Sequence, residues 1–202
     1  DLIGPLFKVF EGQTGVDGVA AENLQARIRG VLVMAYSNSK GLLALATGNK
    51  SELACGYSTI YGDAVGGYAP IKDILKTKVW QLARWRNNAA RRRGEVPPIP
   101  ESSITKAPSA ELRPGQKDSD SLPEYALLDK VLEAYIEKAH GRADLLDDGF
   151  DAQTVNTVMR LVDQAEWKRR QYPLGPKVTA LAFGRDRRLP VTSAFREDRP
   201  RG

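Results

Sequence analysis

The sequence GLLALATGNKSELACGYSTIYGDAVGGYAPIKDIL occupies residues 41–75 and changes character along its length. It begins with an apolar run, residues 41–47, without the alternation of polar and apolar side chains that a half-exposed strand shows. Such a run is typical of a β-strand buried on both faces, as in a parallel sheet. The glycines that follow suit a loop that turns sharply or approaches another group closely, because glycine has no Cβ atom.

A helix-capping pattern lies between the apolar run and the loop. Asn49 and Glu52 are three residues apart, as the two members of a capping box are, which predicts a short helix through residues 52–57. The glycines and proline of residues 61–70 exclude regular structure beyond it. Two interpretations of Glu52 remain open at this point: a capping residue, or a carboxylate that faces a ligand.

Helical periodicity flanks the stretch on both sides. Helices are predicted over residues 19–36, ending near Gly41, and over residues 77–93. The apolar positions expected to face inward are Leu24, Ile28, Val31, Leu32 and Ala35 in the first helix, and Val79, Leu82 and Ala83 in the second. Helix, buried strand and helix in this order indicate half of a doubly wound α/β unit, whose ligands bind beyond the carboxyl ends of its strands.

The second half of the chain is predicted to be a loop followed by helices. Residues 94–123 are rich in proline and predict a long irregular loop, either a lid or a linker. Ser121, with Glu124 three residues later, predicts the start of one helix, and Asp151 predicts the start of another. The apolar positions expected in the core are Leu128, Val131, Leu132, Tyr135 and Ile136, then Val155, Val158, Leu161, Val162 and Ala165.

Composition restricts the class of protein. The chain has 202 residues, one cysteine, one histidine and a formal charge of +5, so it can form one packed domain but no internal disulfide and no histidine-based metal site. We expect a cytoplasmic protein without a membrane span. The positive charge suits nucleic acid and nucleotide phosphates equally. The basic cluster RWRNNAARRR, residues 84–93, is interpreted as a solvated helix face.

Four segments, in order along the chain, resemble one family. ENLQARIRG (22–30), LATGNKSELACGYSTIYGD (45–63), KAPSAEL (106–112) and AEWKRRQYP (165–173) are similar to the synthetase domain of glutamine-dependent NAD synthetases, over about residues 18–188. The resemblance implies an adenine-nucleotide hydrolase-like, Rossmann-like α/β fold that is helix-rich in this fragment. It also implies ATP-dependent adenylation of nicotinic acid adenine dinucleotide (deamido-NAD), with Mg²⁺, after which ammonia displaces AMP to give NAD.

The resemblance also implies roles for individual residues. The positions that match deamido-NAD contacts are Asn23, Arg27, Glu52, Tyr57, Ser58, Thr59, Ile60 and Lys168. The positions that match ATP contacts are Thr47, Lys76 and Ser109, and Glu52 also matches a magnesium ligand. Some have an ordinary alternative: the exposed face of a helix for Asn23 and Arg27, and the capping box for Glu52. Thr47 could be a β-branched strand residue, and Lys76 a solvated residue before a helix. We expect Glu52 to serve one dominant role at a time.

The sequence departs from the family at several positions. Ile60 stands where ammonia-dependent relatives have a lysine, and Trp167 replaces a histidine. The family's Ser-Gly-Gly-x-Asp-Ser pyrophosphate loop is absent from these residues, as is the glutaminase domain that would supply ammonia. We therefore expect residues 1–202 to be the carboxyl-terminal part of the synthetase domain, inactive alone and dependent on a dimer partner or a missing segment. Cys55 is interpreted as a small buried helix residue.

Two other functions remain possible on sequence grounds. One is a basic helical module that binds nucleic acid, motivated by residues 84–93, although no motif for reading bases is present. The other keeps the α/β fold but changes the substrate to that of another ATP-dependent adenylating amidotransferase. Because ENLQARIRG and GNKSE resemble segments of the NAD synthetases, they favour deamido-NAD as the substrate.

Overall fold

The computed structural model describes residues 4, 5, 8, 9 and 17–192, and helices dominate this part of the chain. The helices are α1 (Gly18–Lys40), α2 (Lys50–Cys55), α3 (Lys76–Arg92), α4 (Glu101–Thr105), α5 (Tyr125–Leu132), α6 (Arg142–Asp147), α7 (Ala152–Gln164) and α8 (Glu166–Arg169). A 3₁₀ turn covers Asp118–Asp120, and a π-helical turn, Glu133–Glu137, continues α5. No described helix is long and apolar enough to cross a membrane.

Helix α1 forms as predicted but buries a different face. It ends at Gly41, which takes the left-handed conformation (φ 63°) that glycine adopts without strain. The buried positions include Ala26, Ile28 and Gly30, whereas Val31 is 66% exposed, so the expectation that Val31 faces inward is wrong. The cause is close packing: a Cβ at Gly30 would lie 2.4 Å from the Tyr61 carbonyl oxygen.

The apolar run 41–47 is not the doubly buried strand that its composition predicts. Its only pairing among the described residues is one parallel bridge between Leu45 and Tyr68. Ala46 is buried, but Leu42 and Leu43 are 55% and 65% exposed. The extended backbone therefore has a neighbour on one side only, and its apolar side chains contact solvent.

The hydrophobic core lies where α2, α5, the π-helical turn and α7 meet. Its fully buried members include Leu128, Val131, Val155 and Val158, as the sequence predicts. Helix α7 starts at the predicted cap, where the Asp151 carboxylate accepts a hydrogen bond from the Thr154 amide at 3.0 Å. Cys55 lies at the edge of this core, buried in α2 as expected.

The start of α5 differs from the prediction. Glu124, not Ser121, is the N-cap residue. Pro123 explains the difference, because a proline disfavours the helical conformation for the residue before it, which is Leu122. Leu122 is buried instead, so it anchors the loop rather than beginning the helix.

Residues 94–123 are more ordered than expected. They contain α4 and the 3₁₀ turn, and they dock on α3 through Asn87. The buried Asn87 amide donates to the Ile99 carbonyl at 2.8 Å and accepts from the Ile99 amide at 3.1 Å. This polar side chain takes the inward position, whereas Leu82, which was expected there, is 49% exposed.

A buried lysine joins α2 to distant parts of the chain. Lys50 is 1% exposed, and its ammonium pairs with Asp73 at 3.0 Å and Glu137 at 2.9 Å. It also donates to the Leu181 carbonyl at 2.9 Å and to the Thr179 hydroxyl. Because every ammonium hydrogen has a partner, the charge is tolerated in the interior.

Candidate functional site

A cavity of about 600 Å³ opens between α1, the amino end of α2 and the loops that follow. Its walls come from segments far apart in sequence, including the loop after α2, the proline-rich loop and α8. Of the residues to which the sequence assigned a role, those that line it are Asn23, Thr47, Glu52, Tyr57, Ser58, Thr59, Lys76, Ser109 and Lys168. The fold therefore brings nearly all of the predicted site residues to one place.

Arg27 and Ile60 lie next to the cavity rather than in its wall. The Arg27 Nε donates to the Ile60 carbonyl at 3.2 Å, while the Ile60 side chain is buried. This contact ties α1 to the loop that carries Thr59. In this arrangement Arg27 supports the wall from outside, and its role toward a ligand remains a prediction.

Asn23 and Thr59 join two walls of the cavity. The Thr59 hydroxyl donates to Asn23 Oδ1 at 2.8 Å, and the Thr59 amide donates to Asp63 Oδ1 at 2.6 Å. Loss of hydration raises the pKa of Asp63, while the Thr59 amide acts in the opposite direction. Residue-level reasoning assigned no role to Asp63, although its Tyr-Gly-Asp context is visible in the sequence.

Glu52 completes a capping box and also forms an ion pair at the cavity, and its role toward a ligand stays a prediction. Its Oε2 accepts from the Asn49 amide at 3.1 Å, and the Asn49 side chain accepts from the Glu52 amide, which completes the capping box. Its Oε1 pairs with the Lys76 ammonium at 2.9 Å. A carboxylate has two oxygens, and the chain uses one for the helix and one for the cavity.

Lys76 is held in place by a buried hydrogen-bond relay. Its amide donates to the Ser51 hydroxyl at 2.9 Å, and Ser51 in turn donates to Asp129. The other Asp129 oxygen accepts from the Thr77 amide at 2.8 Å. This relay fixes the first turn of α3 and so directs the Lys76 ammonium towards Glu52.

Lys168 reaches the cavity from α8. Its ammonium donates to the carbonyls of Gly56 and Ser58, at 2.6 and 2.8 Å. Burial lowers the pKa of Lys168, and the nearby Asp63 charge partly opposes that shift. The Trp167 ring lies 5.9 Å from this ammonium and is not part of the cavity lining.

The proline-rich loop contributes a wall that sequence reasoning largely missed. Besides Ser109, it places Gln116 and Asp118 at the cavity. Asp118 is buried and accepts a hydrogen bond from the Tyr125 hydroxyl at 2.8 Å. Burial, followed by the Asp118 charge, raises the pKa of Tyr57. No local pattern marks Asp118, because its partners belong to other segments.

The described residues contain no group of three or more acidic, histidine or cysteine side chains able to hold a metal ion. Magnesium sites at phosphates typically use one or two carboxylates, water and the phosphate oxygens. Glu52 would therefore supply a single protein oxygen to such an ion. That is compatible with a metal bound together with a nucleotide, but not with a preformed protein site.

In this structure an extended segment leads into a capped helix, and a cavity lined by lysines, carboxylates and hydroxyls lies beside them. This arrangement indicates an α/β nucleotide-binding protein. The fold comparison agrees. A crystal structure described as a glutamine-dependent NAD(+) synthetase from Cytophaga hutchinsonii matches 95% of this chain and 32% of that one, with a TM-score of 0.72 at 22% identity. This similarity confirms the predicted adenine-nucleotide hydrolase-like fold.

Sequence comparison identifies the family. A sequence model described as NAD synthase matches residues 3–172, so the chain belongs to the NAD synthase family. It is 54% identical over 177 residues to the glutamine-dependent NAD(+) synthetase of Acinetobacter baylyi, covering 88% of this chain and 32% of that protein. It is 48% identical over 179 residues to the glutamine-dependent NAD(+) synthetase of Thermotoga maritima, covering 89% of this chain and 30% of that protein. The chain thus spans about a third of the length of these relatives.

Proposed function

We propose that this chain is the carboxyl-terminal part of a synthetase domain that converts deamido-NAD to NAD with ATP. Family membership supports the reaction class, and the cavity supports the assignment of residues. The main observation is that Asn23, Thr59, Glu52, Lys76 and Lys168 meet around one cavity of a size suited to a nucleotide. These residues belong to α1, to α2 and the loop after it, to α3 and to α8, which are separated in sequence and converge only on folding.

The chemistry requires activation of a carboxylate. A carboxylate oxygen of deamido-NAD attacks the α-phosphorus of ATP and pyrophosphate leaves, which forms an acyl adenylate. The ammonia nitrogen then attacks the acyl carbon, AMP leaves with the bonding electrons, and the nitrogen loses a proton. The protein contributes positioning and the exclusion of water, which would hydrolyse the adenylate.

The lysines of the cavity suit this reaction. The positive charge of Lys76 suits binding of the ATP phosphates, and the positive charge of Lys168 suits binding of deamido-NAD. Thr47 and Ser109 offer hydroxyls to the nucleotide, while Arg27, Tyr57, Ser58, Thr59 and Ile60 belong to the deamido-NAD wall or its support. Residues 94–123 act as a lid over this site. Magnesium, when bound with ATP, would neutralise phosphate charge, with Glu52 as its protein ligand.

The assembly extends beyond these residues. We propose that a glutaminase domain of the longer protein supplies ammonia, that the pyrophosphate loop lies outside this chain, and that the protein works in the cytoplasm as a homodimer or larger oligomer. Nucleic acid is not expected as a partner. On this proposal the isolated chain yields no NAD from ammonia, ATP and deamido-NAD, and NAD formation by the purified chain would contradict it.

Calorimetric titration with deamido-NAD, with and without ATP and Mg²⁺, tests the proposal directly. Lys168→Met should weaken deamido-NAD binding by about 10- to 100-fold, the range for losing a charged hydrogen-bond partner. Lys72→Met is a matched control. Its ammonium also donates to a backbone carbonyl, that of Pro173 at 2.6 Å, and burial also lowers its pKa, but it lies outside the cavity wall.

The two lysine variants separate binding from folding. Equal losses of affinity in both would show that Lys168 acts through stability alone, and would overturn its assignment. Duplex DNA is the control ligand. Salt-dependent binding of DNA without any binding of deamido-NAD would favour the nucleic-acid alternative, for which the exposed arginines of residues 84–93 provide the charge.

A further inference from the structure

Tyr61 has a backbone conformation that residues with a side chain rarely adopt. Its φ angle is +64°, in the left-handed region, where the Cβ atom crowds the backbone. Among the non-glycine residues that the structure describes, only Glu111 and Ala139 share this feature. Strain of this kind persists only where the surroundings force it, and it is concentrated at functional sites. Tyr61 lies two residues from both Thr59 and Asp63, which line the cavity.

Helix α1 forces this conformation by lying directly against the turn. A Cβ atom at Gly30 would overlap the Tyr61 carbonyl oxygen. One at Gly62 would lie 2.9 Å from the Ala26 Cβ atom, closer than two carbon atoms pack. On the opposite side, the Tyr61 hydroxyl donates to Gln171 Oε1 at 2.9 Å, which ties the turn to the chain after α8. Because no free space separates the helix from the turn, the chain at Tyr61 can follow few other paths.

The turn reverses the chain so that Thr59 and Asp63 lie side by side. The Gly62 amide donates to the Thr59 carbonyl at 3.0 Å, which closes the turn. The Thr59 amide donates to Asp63 Oδ1 at 2.6 Å, and the Thr59 hydroxyl donates to Asn23 Oδ1 at 2.8 Å. The placement of both residues in the cavity wall therefore depends on the conformation of the residues between them.

We propose that Tyr61 and Gly30 are positioning residues for this wall of the cavity. The left-handed turn at Tyr61 orients Thr59 and Asp63. Gly30 permits the turn because it leaves room for the Tyr61 carbonyl. Neither residue offers a side chain to a ligand, since the Tyr61 side chain is 69% exposed outside the cavity lining and Gly30 has none. This inference rests on the proposed function, in which deamido-NAD occupies this wall.

Tyr61→Gly and Tyr61→Val form a matched pair of variants. Both remove the ring and its hydrogen bond to Gln171, but glycine adopts the left-handed conformation freely, whereas β-branched valine strongly disfavours it. The Thr59 amide, followed by NMR, should therefore exchange its hydrogen with solvent about tenfold faster in Tyr61→Val than in Tyr61→Gly. In calorimetric titration, deamido-NAD should bind Tyr61→Gly about tenfold more tightly than Tyr61→Val. Equal exchange rates in the two variants would overturn the proposal.

Gly30→Ala tests the helix side of the same contact. Its methyl group would push α1 and the turn apart, so the Thr59 amide should exchange about tenfold faster than in the wild type, while the buried Val158 amide of α7 changes less. Equal acceleration at both amides would show that Gly30 acts through overall stability alone, and would contradict its positioning role. Ala139→Val is the control. Ala139 is also left-handed, with φ 56°, but it lies outside the cavity wall, so this variant should leave Thr59 exchange unchanged.

The exchange measurements need no ligand, so they decide the role of the turn independently of the proposed function. The expected exchange differences without any binding of deamido-NAD, in the variants or in the wild type, would leave the positioning role standing and contradict the proposed function. Binding of deamido-NAD with equal affinity to both Tyr61 variants would contradict the positioning role instead.

Discussion

Cys55 is the chain's one cysteine, and its surroundings make it a poor nucleophile. It lies in α2 against the core, and burial raises its pKa from 9.0 to about 12, although the charge of Arg169 acts in the opposite direction. The thiolate is the reactive form of cysteine. A structural role therefore fits this residue better than a catalytic one.

The shifted pKa of Cys55 predicts a pH dependence of stability. The folded state retains the thiol proton above pH 9.0, where the unfolded state loses it, so stability falls as the pH rises towards 12. Between pH 8 and pH 10, wild type should lose about 1 kcal/mol of unfolding free energy relative to Cys55→Ala. Urea unfolding of both proteins at the two pH values measures this difference. Rapid labelling of the native thiol at pH 8 would contradict it.

Loss of the buried Lys50 charge should destabilise the fold strongly. In Lys50→Met the side-chain length is kept, but Asp73 and Glu137 lose their cationic partner in the interior. Breaking a buried ion pair from one side costs about 3–5 kcal/mol. Chemical denaturation measures the loss. Lys138→Met, at an exposed lysine after the π-helical turn, is the control, and a similar loss in both variants would show that burial of Lys50 does not matter.

At the scale of elements, α2 connects the fold to the cavity. Its amino end carries the capping box, its Lys50 reaches the chain near Thr179, and its Glu52 faces Lys76. Arg169 holds its carboxyl end by donating to the Ala54 carbonyl at 2.8 Å. This six-residue helix is too short to be stable alone, so these contacts are what maintain it.

Two substitutions at Glu52 should separate its two roles. Glu52→Gln retains an oxygen for the Asn49 amide but loses the ion pair, and should cost about 1 kcal/mol. Glu52→Ala also loses the capping box and should cost about 1 kcal/mol more. Urea unfolding compares the two variants. Identical losses of unfolding free energy would mean that the capping contact contributes nothing to stability. With Glu52 as the metal ligand, both variants should also lose magnesium-dependent ATP binding.

At the scale of the whole molecule, the extended run 41–47 presents an uncovered edge. Leu42, Leu43 and Leu45 are all more than half exposed, and within residues 17–192 the backbone of this run pairs only at Leu45. Exposed extended backbone with apolar side chains favours association with another chain. The edge is therefore a surface that the remainder of the proposed synthetase domain, or a second copy of the chain, would cover.

The purified chain should associate in a concentration-dependent manner, and Leu42→Glu should weaken the association. A charge at this edge disfavours pairing between strands of two molecules. Sedimentation velocity over a range of concentrations measures the effect. Val96→Glu, at a position 87% exposed in the proline-rich loop, is the control. A monomer at all concentrations would show that the uncovered edge does not drive assembly.

The sequence by itself determined the features that depend on neighbouring residues. The capping box of Asn49, the cap at Asp151 and the end of α1 at Gly41 each arise from contacts within a few positions, so local patterns predict them. The core positions of α5 and α7 follow from helical periodicity in the same way. The resemblance of four segments added the family, which the sequence comparison confirmed.

Only the tertiary structure decided which polar groups meet. Lys50 bonds to Leu181, 131 positions away, and Lys168 bonds to Gly56, 112 positions away. Asp118 likewise reaches the cavity through a loop that the sequence marks only as rich in proline. Local patterns carry no information about such contacts, because the pairing is set by how the helices pack. The same reason explains why an apolar run, predicted to be buried, is exposed, since no strand among the described residues covers it.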